Sequence, residues 1–248
     1  MDRPRILVFQ HVACEHPGVF RDFLAEDGVA WDAVELDEGA PIPDLGGYDA
    51  LWVMGGPMDV WQEDAHPWMA AEKAAIREAV AERKMPFFGL CLGHQLLAEA
   101  MGGSAGPART PEVGVMEVAL TEVGRANLFM AGIPPRSEVL QWHGAEVTRA
   151  PEGAAVLAES PACPIQALGI GDHAFSLQYH VELTASTVSD WGEIPQYRAA
   201  LERALGPDGL AEIEAACAAR MEGFQAMARQ LYRNMIASIA RAKLLSPR

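Results

Sequence analysis

Short apolar runs, spaced by polar stretches of helical character, organise the first hundred residues. Ile6 to Phe9 and Leu51 to Met54 are unbroken apolar runs, too brief for helices and continuous enough for strands covered on both faces. Trp31 to Leu36 reads as a second strand, and Phe87 to Leu90 as a fourth. A polar loop rich in His and Pro follows the first strand, then a short amphipathic helix around Gly18 to Glu26. A longer helix is predicted from about Pro67 to Arg83, because proline suits a first helical turn and Pro86 closes the segment. Strand and helix therefore alternate, which implies a parallel sheet with helices on both faces. Ligands of such sheets bind at the carboxyl ends of the strands, where Gly55-Gly56 and Cys91 both fall.

From Val113 the rhythm changes. Val113 to Leu120, Glu138 to Gln141, Ala154 to Ala158, Ile165 to Ile170 and Ala174 to Tyr179 read as strands separated by Gly, Pro or Asp, a β-rich extension of the same sheet. After Glu182 the pattern turns helical. Leu210 to Leu245 carries an apolar stripe of Ile213, Cys217, Met221, Phe224, Met227, Leu231 and Ile236, which predicts core packing or a homodimer face. No repeat, low-complexity tract or linker interrupts the chain. The expectation is one α/β domain over residues 1–248, with a core of about 5–200 and a helical tail of about 207–245.

The 248 residues, half of them apolar, are enough for a full core and speak against disorder. No apolar run approaches a membrane span, and the four apolar residues after Met1-Asp2-Arg3-Pro4-Arg5 are too few for a signal peptide, so a cytoplasmic location is expected. A formal net charge of −15 argues against nucleic acid or an anionic membrane as partner. Cys14, Cys91, Cys163 and Cys217 fit no paired zinc spacing, and disulfides are not expected in a cytosolic chain.

The chemistry concentrates around Gly89-Leu90-Cys91-Leu92-Gly93-His94-Gln95. A cysteine between a buried strand and a helix-like segment, Gln95 to Met101, with glycine two residues to either side, is the pattern of a nucleophile on a sharp strand-to-helix turn. The helix start favours its thiolate. Such a nucleophile needs a base and an orienting group. In Leu177-Gln178-Tyr179-His180-Val181-Glu182, residues two apart share a face of an extended chain, so Glu182 could hold His180. Taken alone, His-x-Glu is more often an ordinary surface pair. Acyl transfer also needs donors for an oxyanion: Gly55-Gly56 can offer backbone N–H groups, and the N–H of Leu92 is the natural second donor. Taken alone, Gly55-Gly56-Pro57 is more often a simple turn.

Together these segments resemble the class I, triad-type glutamine amidotransferase family. Met54-Gly55-Gly56-Pro57 resembles its oxyanion strand, the Cys91 segment its nucleophile elbow, and His180-Val181-Glu182 its His-x-Glu motif. Glu112-Val113-Gly114 and Gln141-Trp142-His143-Gly144 also resemble family segments, and the order holds from about Ile6 to Glu182. The likeness is to the domain that feeds ammonia to GMP synthetase and to its stand-alone relatives. It implies a three-layer fold with a mostly parallel central sheet, helices on both faces and a C-terminal helical tail. It implies that Cys91 attacks the side-chain amide of glutamine or another γ-glutamyl small molecule, forming a thioester that water hydrolyses. Gly56 and Leu92 would be the oxyanion donors, and Gly55, Gln95 and His143 substrate contacts. No cofactor or metal is called for. The chain departs from the family at Val181, where proline is usual, and at Ala145, where relatives often carry aspartate.

The chain carries neither a phosphate-binding G-x-x-x-x-G-K-[ST] loop nor a Ser-Gly-Gly-x-Asp-Ser stretch, so any ammonia acceptor would be a separate synthetase subunit. Two alternatives to glutamine hydrolysis remain open: a γ-glutamyl peptidase acting on γ-glutamyl peptides or conjugates, and a non-enzymatic regulatory homologue. Gly102-Gly103-Ser104-Ala105-Gly106 matches G-x-S-x-G but follows a helix-like segment, so a helix stop is expected there. The His11, Cys14 and His16 loop reads as polar loop before substrate selector or metal site, and Trp142 and Trp191 as packing before pocket lining.

Overall fold

The computed structural model describes residues 3–245; Met1, Asp2 and residues 246–248 of the expected domain lie outside the described part. Its elements run β1 (Arg5–Gln10), α1 (Phe20–Asp27), β2 (Ala30–Glu35), β3 (Ala50–Val53), α2 (Trp68–Arg77), β4 (Phe87–Leu90), α3 (Leu92–Ala100), β5 (Ser104–Leu120), α4 (Glu122–Ala126), β6 (Arg136–Arg149), β7 (Ala155–Glu159), β8 (Ala167–Ile170), β9 (Ala174–Leu177), α5 (Thr187–Gly192), α6 (Pro195–Leu205), α7 (Gly209–Ala218) and α8 (Met221–Leu245). All nine described strands join one sheet in the order β2-β1-β3-β4-β9-β8-β7-β5-β6. The first five are parallel neighbours. Beyond β9 each ladder is antiparallel, so only β8 and β5 run against the rest.

Alternation along the buried strands sorts side chains onto the two faces. Ile6, Val8, Trp52 and Phe88 pack with Phe20 and Leu24 of α1 and with Met227, Leu231 and Tyr232 of α8. Leu7, Phe9, Leu51, Val53 and Phe87 pack with Met69 and Ile76 of α2 and with Leu92, Leu96 and Leu97 of α3. The helical tail is thus core packing: Tyr232 Oη donates to Asp27 Oδ2 at 2.8 Å, and Arg229 forks onto Glu26 at 2.6 and 3.1 Å. A third cluster joins Trp142 and Leu140 of β6 to Trp191, Tyr197, Leu201 and Ile213 of the helices after Glu182.

Several bounds differ from the sequence reading for local reasons. The expected tail helix is two helices, broken at Ala219-Arg220, and it is preceded by α5 and α6. The expected Pro67 to Arg83 helix loosens into a π turn over Glu78–Glu82. The strand expected over Glu138 to Gln141 extends to Arg149 and pairs with an equally long β5, whose first residue is Ser104 of the G-x-S-x-G match. No described helix is long and apolar enough to cross a membrane.

Strand register places the chemistry. Phe9 pairs with Val53, Val53 with Gly89, and Leu90 with Leu177. One or two residues beyond the strand ends, His11, Gly55, Cys91 and Gln178 therefore come side by side along one sheet edge.

Candidate active site

Cys91 is the cap residue between β4 and α3, with φ 50° and ψ −101°. A positive φ is strained for a residue with a side chain, and such strain is found where function holds it. The neighbouring glycines make the turn sterically feasible. A Cβ on Gly93 would lie 2.2 Å from the Val53 carbonyl oxygen, and one on Gly89 would lie 2.6 Å from that of Gly93. Cys91 N–H donates to Leu177 O at 2.8 Å, tying the elbow to β9.

After β9 the chain bends at Gln178 and Tyr179 and then pairs again at His180. His180 exchanges backbone hydrogen bonds with Leu140 of β6, at 2.9 and 3.2 Å. Gln178 and His180 both reach Cys91, and Glu182 reaches His180. Gln178 Nε2 approaches Cys91 Sγ at 3.6 Å, and His180 is hydrogen-bonded to the same sulfur. His180 Nδ1 lies 2.6 Å from Glu182 Oε1, and Glu182 Oε2 accepts from Val181 N–H at 2.9 Å. Burial opposes the imidazolium of His180. The charge of Glu182, with hydrogen bonds to Cys91 and Glu182, outweighs it and holds the pKa well above the ordinary histidine value. The three residues are buried, with Cys91 at the floor of a cleft. This arrangement can place a sulfur nucleophile against a bound carbonyl and carry a proton away from it.

Gly56 and Leu92 line the cleft beside Cys91, as do Gln95 and His143. Gln95 Nε2 donates to Ala145 O and Gln178 Oε1, both at 3.2 Å, which fixes its amide beside Gln178. His143 Nδ1 meets Ala145 O at 2.9 Å and its Nε2 meets Glu112 Oε2 at 3.1 Å. Gly55 lies beside Cys91 in register, behind Gly56. The cleft is large, about 980 Å³, and its walls include Asp59, Gln62, His66 and, on α6, Gln196, Tyr197 and Arg203.

Some residues carry more than their sequence context indicated. The Trp191 ring stands edge-on to His180, with centroids 4.6 Å apart, and packs with Trp142 and Tyr197. Glu15 is fully buried and accepts from Tyr197 Oη. Burial pushes its carboxyl above the usual range, partly opposed by the charge of His180 and the Tyr197 hydrogen bond. Glu15 and Tyr197 lie far apart in sequence, so no spacing links them, and Gln178 sits at the bend, outside the alternation that pairs His180 with Glu182.

His11, Cys14 and His16 do not converge on one point. His11 is buried between Gly55 and Glu72, and His16 accepts from Gly18 N–H at 3.1 Å. Among the described residues, Glu112, His143 and Cys163 alone come close enough to hold a metal ion. Glu112 and His143 are already engaged: Glu112 accepts from Ser160 at 2.9 Å and Gln166 at 2.7 Å and meets His143, while Cys163 Sγ donates to Ile165 O. Burial pushes the Cys163 thiol up to about 12. The donor set is that of a closed hydrogen-bond network.

The sequence model for the class-I glutamine amidotransferases matches residues 21–190, more than half the chain. The chain belongs to the class-I glutamine amidotransferase family. Among its curated relatives is the glutamine amidotransferase-like protein YfeJ of Salmonella typhimurium, 31% identical over 189 residues, which are 74% of this chain and 78% of YfeJ. Gamma-glutamyl peptidase 3 of Arabidopsis thaliana is 28% identical over 171 residues, 66% of this chain and 67% of the peptidase. A glutamine-hydrolysing GMP synthase subunit of Sulfolobus acidocaldarius is 29% identical over 153 residues, 61% of this chain and 77% of that protein. A crystal structure of a glutamine amidotransferase from Thermotoga maritima superposes with a TM-score of 0.85 at 26% identity, covering 95% of this chain and 99% of that one. The architecture of this glutamine amidotransferase-family chain is therefore that of the family, its helical C-terminus included.

Proposed function

We propose that the chain hydrolyses the side-chain amide of glutamine, or of a related γ-glutamyl compound, through a thioester on Cys91. The observation that carries this reading is the contact of the Cys91 sulfur, which lines the cleft, with His180, itself held by Glu182, both buried beside it. The sulfur adds to the amide carbon and its proton goes to His180, which Glu182 keeps oriented. The carbonyl oxygen, now an oxyanion, is met by the N–H groups of Gly56 and Leu92. The carbon–nitrogen bond then breaks, His180 gives its proton to the leaving nitrogen, and ammonia or an amine departs. Water, deprotonated by His180, adds to the thioester; the carbon–sulfur bond breaks, glutamate leaves and the proton returns to sulfur.

If the leaving group is ammonia, a separate synthetase subunit is the natural acceptor, and the likeness to a glutamine-hydrolysing subunit of GMP synthase supports that partnership. The cleft favours a second reading. At about 980 Å³ it is at the upper end of ligand pockets, much larger than free glutamine requires, and it suits a γ-glutamyl peptide or conjugate. The similarity to a gamma-glutamyl peptidase points the same way. Purified protein incubated with glutamine, γ-glutamyl dipeptides and glutathione conjugates, with glutamate release measured, decides between them. Preference for free glutamine over the whole panel removes the second reading. Release of no glutamate from any member removes both, leaving a regulatory homologue.

A further inference from the structure

A buried ion pair lies behind the Gly55–Gly56 turn, on the side away from the cleft. His11 and Glu72 are both fully buried. His11 Nδ1 lies 2.8 Å from Gly55 O, and His11 Nε2 lies 2.8 Å from Glu72 Oε1. A carbonyl oxygen only accepts, so Nδ1 carries the proton and donates it. The Trp68 ring stacks on the imidazole, with centroids 5.4 Å apart and planes at 21°.

Gly55 C=O and Gly56 N–H belong to one planar trans peptide and point in opposite directions. With the carbonyl drawn back to His11, the N–H is turned away from His11, and Gly56 lines the cleft beside Cys91 and Leu92. The fit is tight: a Cβ on Gly56 would lie 2.9 Å from His11 Cβ and 3.0 Å from Leu92 Cδ2. We propose that His11, anchored by Glu72, is a positioning residue that sets the Gly55–Gly56 peptide so that Gly56 N–H meets the substrate oxyanion. This rests on the acyl-transfer reading above. Buried imidazole would ordinarily lose its charge. The Glu72 charge and the bonds to Glu72 and Gly55 outweigh that burial and raise the His11 pKa, so the donor is charge-assisted and polarises the peptide further.

Two reactions of the same sulfur separate positioning from general damage. Acylation of Cys91 by 4-nitrophenyl acetate passes through an oxyanion; alkylation by iodoacetamide does not. His11→Phe keeps an aromatic ring but no donor, and His11→Gln moves the donor away from Gly55. Both are expected to slow acylation about 100-fold, the scale of a misplaced catalytic group, with alkylation within about twofold of wild type. His11→Asn places an amide N–H near the Nδ1 position and is expected to recover most of the loss. Should His11→Phe not fold, Glu72→Ala, which leaves the imidazole but removes its anchor, takes its place with the same expected direction. Acylation and alkylation falling together, or acylation unchanged in the folded variants, overturns the inference alone. Wild-type protein that alkylates at Cys91 but never acylates there overturns the acyl-transfer reading, and this inference with it.

Discussion

Two buried histidines near the elbow show how far the surroundings of a residue decide its chemistry. His180 faces Glu182 and the sulfur, and Glu182 raises its pKa well above the ordinary histidine value against the pull of burial. His94, three residues after Cys91, faces Ser176 Oγ at 2.8 Å and Ile165 O at 3.2 Å, and burial drives its pKa down to about 3. In the unfolded chain its pKa returns to about 6.5. The stability carried by neutral His94 is therefore present above pH 6.5 and lost as the pH falls from there toward 3. His94→Gln, which can still donate to Ile165 O, is expected to lose about 2 kcal/mol less than wild type between pH 7.5 and 5, measured by urea unfolding. Equal losses in both proteins would contradict the assignment. At this scale the sequence was legible where residues are close: the pairing of His180 with Glu182 follows from two-residue alternation, whereas Gln178, at a bend, was not singled out. Glu15 with Tyr197, and His11 with Glu72, meet only through the fold, and neither pair leaves a local signature.

At the scale of elements, the strand–elbow–helix unit is the part on which the site is built. The β4–Cys91–α3 turn brings the first helical residues against β3, and Gly93 N–H donates to Met54 O at 3.2 Å. Gly93→Ala would set a methyl group 2.2 Å from Val53 O, so the helix must move off the strand. The expected cost is about 1–3 kcal/mol, with displacement of Leu92 N–H as well. A thermal melt and the iodoacetamide rate at Cys91 would check it; an unchanged melting temperature would contradict the packing described. Strands β1, β3 and β4 were legible because burial on both faces leaves nearly continuous apolar runs. The long β5–β6 ribbon was not. Exposed Glu138, Gly144 and Thr148, and buried polar Gln141, His143 and Glu146, interrupt its apolar positions. The break between α7 and α8 at Ala219-Arg220 lacks Gly or Pro, so the chain gives no punctuation there.

Across the whole molecule, the two helical additions after Glu182 do different work. α5 and α6 reach the site: Trp191 stands on His180, and Tyr197 meets Glu15 and lines the cleft. α8 lies against the sheet face with α1, away from the cleft, and its Leu231 is 1% exposed. Leu231→Ala is expected to cost about 2–5 kcal/mol through the cavity it leaves. The alkylation rate of Cys91 in the folded variant should not change. A fall in that rate at temperatures where the variant remains folded would show that the tail supports the site as well as the core.

The central claim is that Cys91 carries the acyl group. The direct measurement is rapid acid quenching during turnover of a γ-glutamyl substrate, followed by mass analysis of the peptide containing Cys91. A γ-glutamyl adduct on Cys91, together with loss of glutamate release in Cys91→Ala, is the expected result. An adduct on another residue, or full glutamate release by Cys91→Ala, would contradict it.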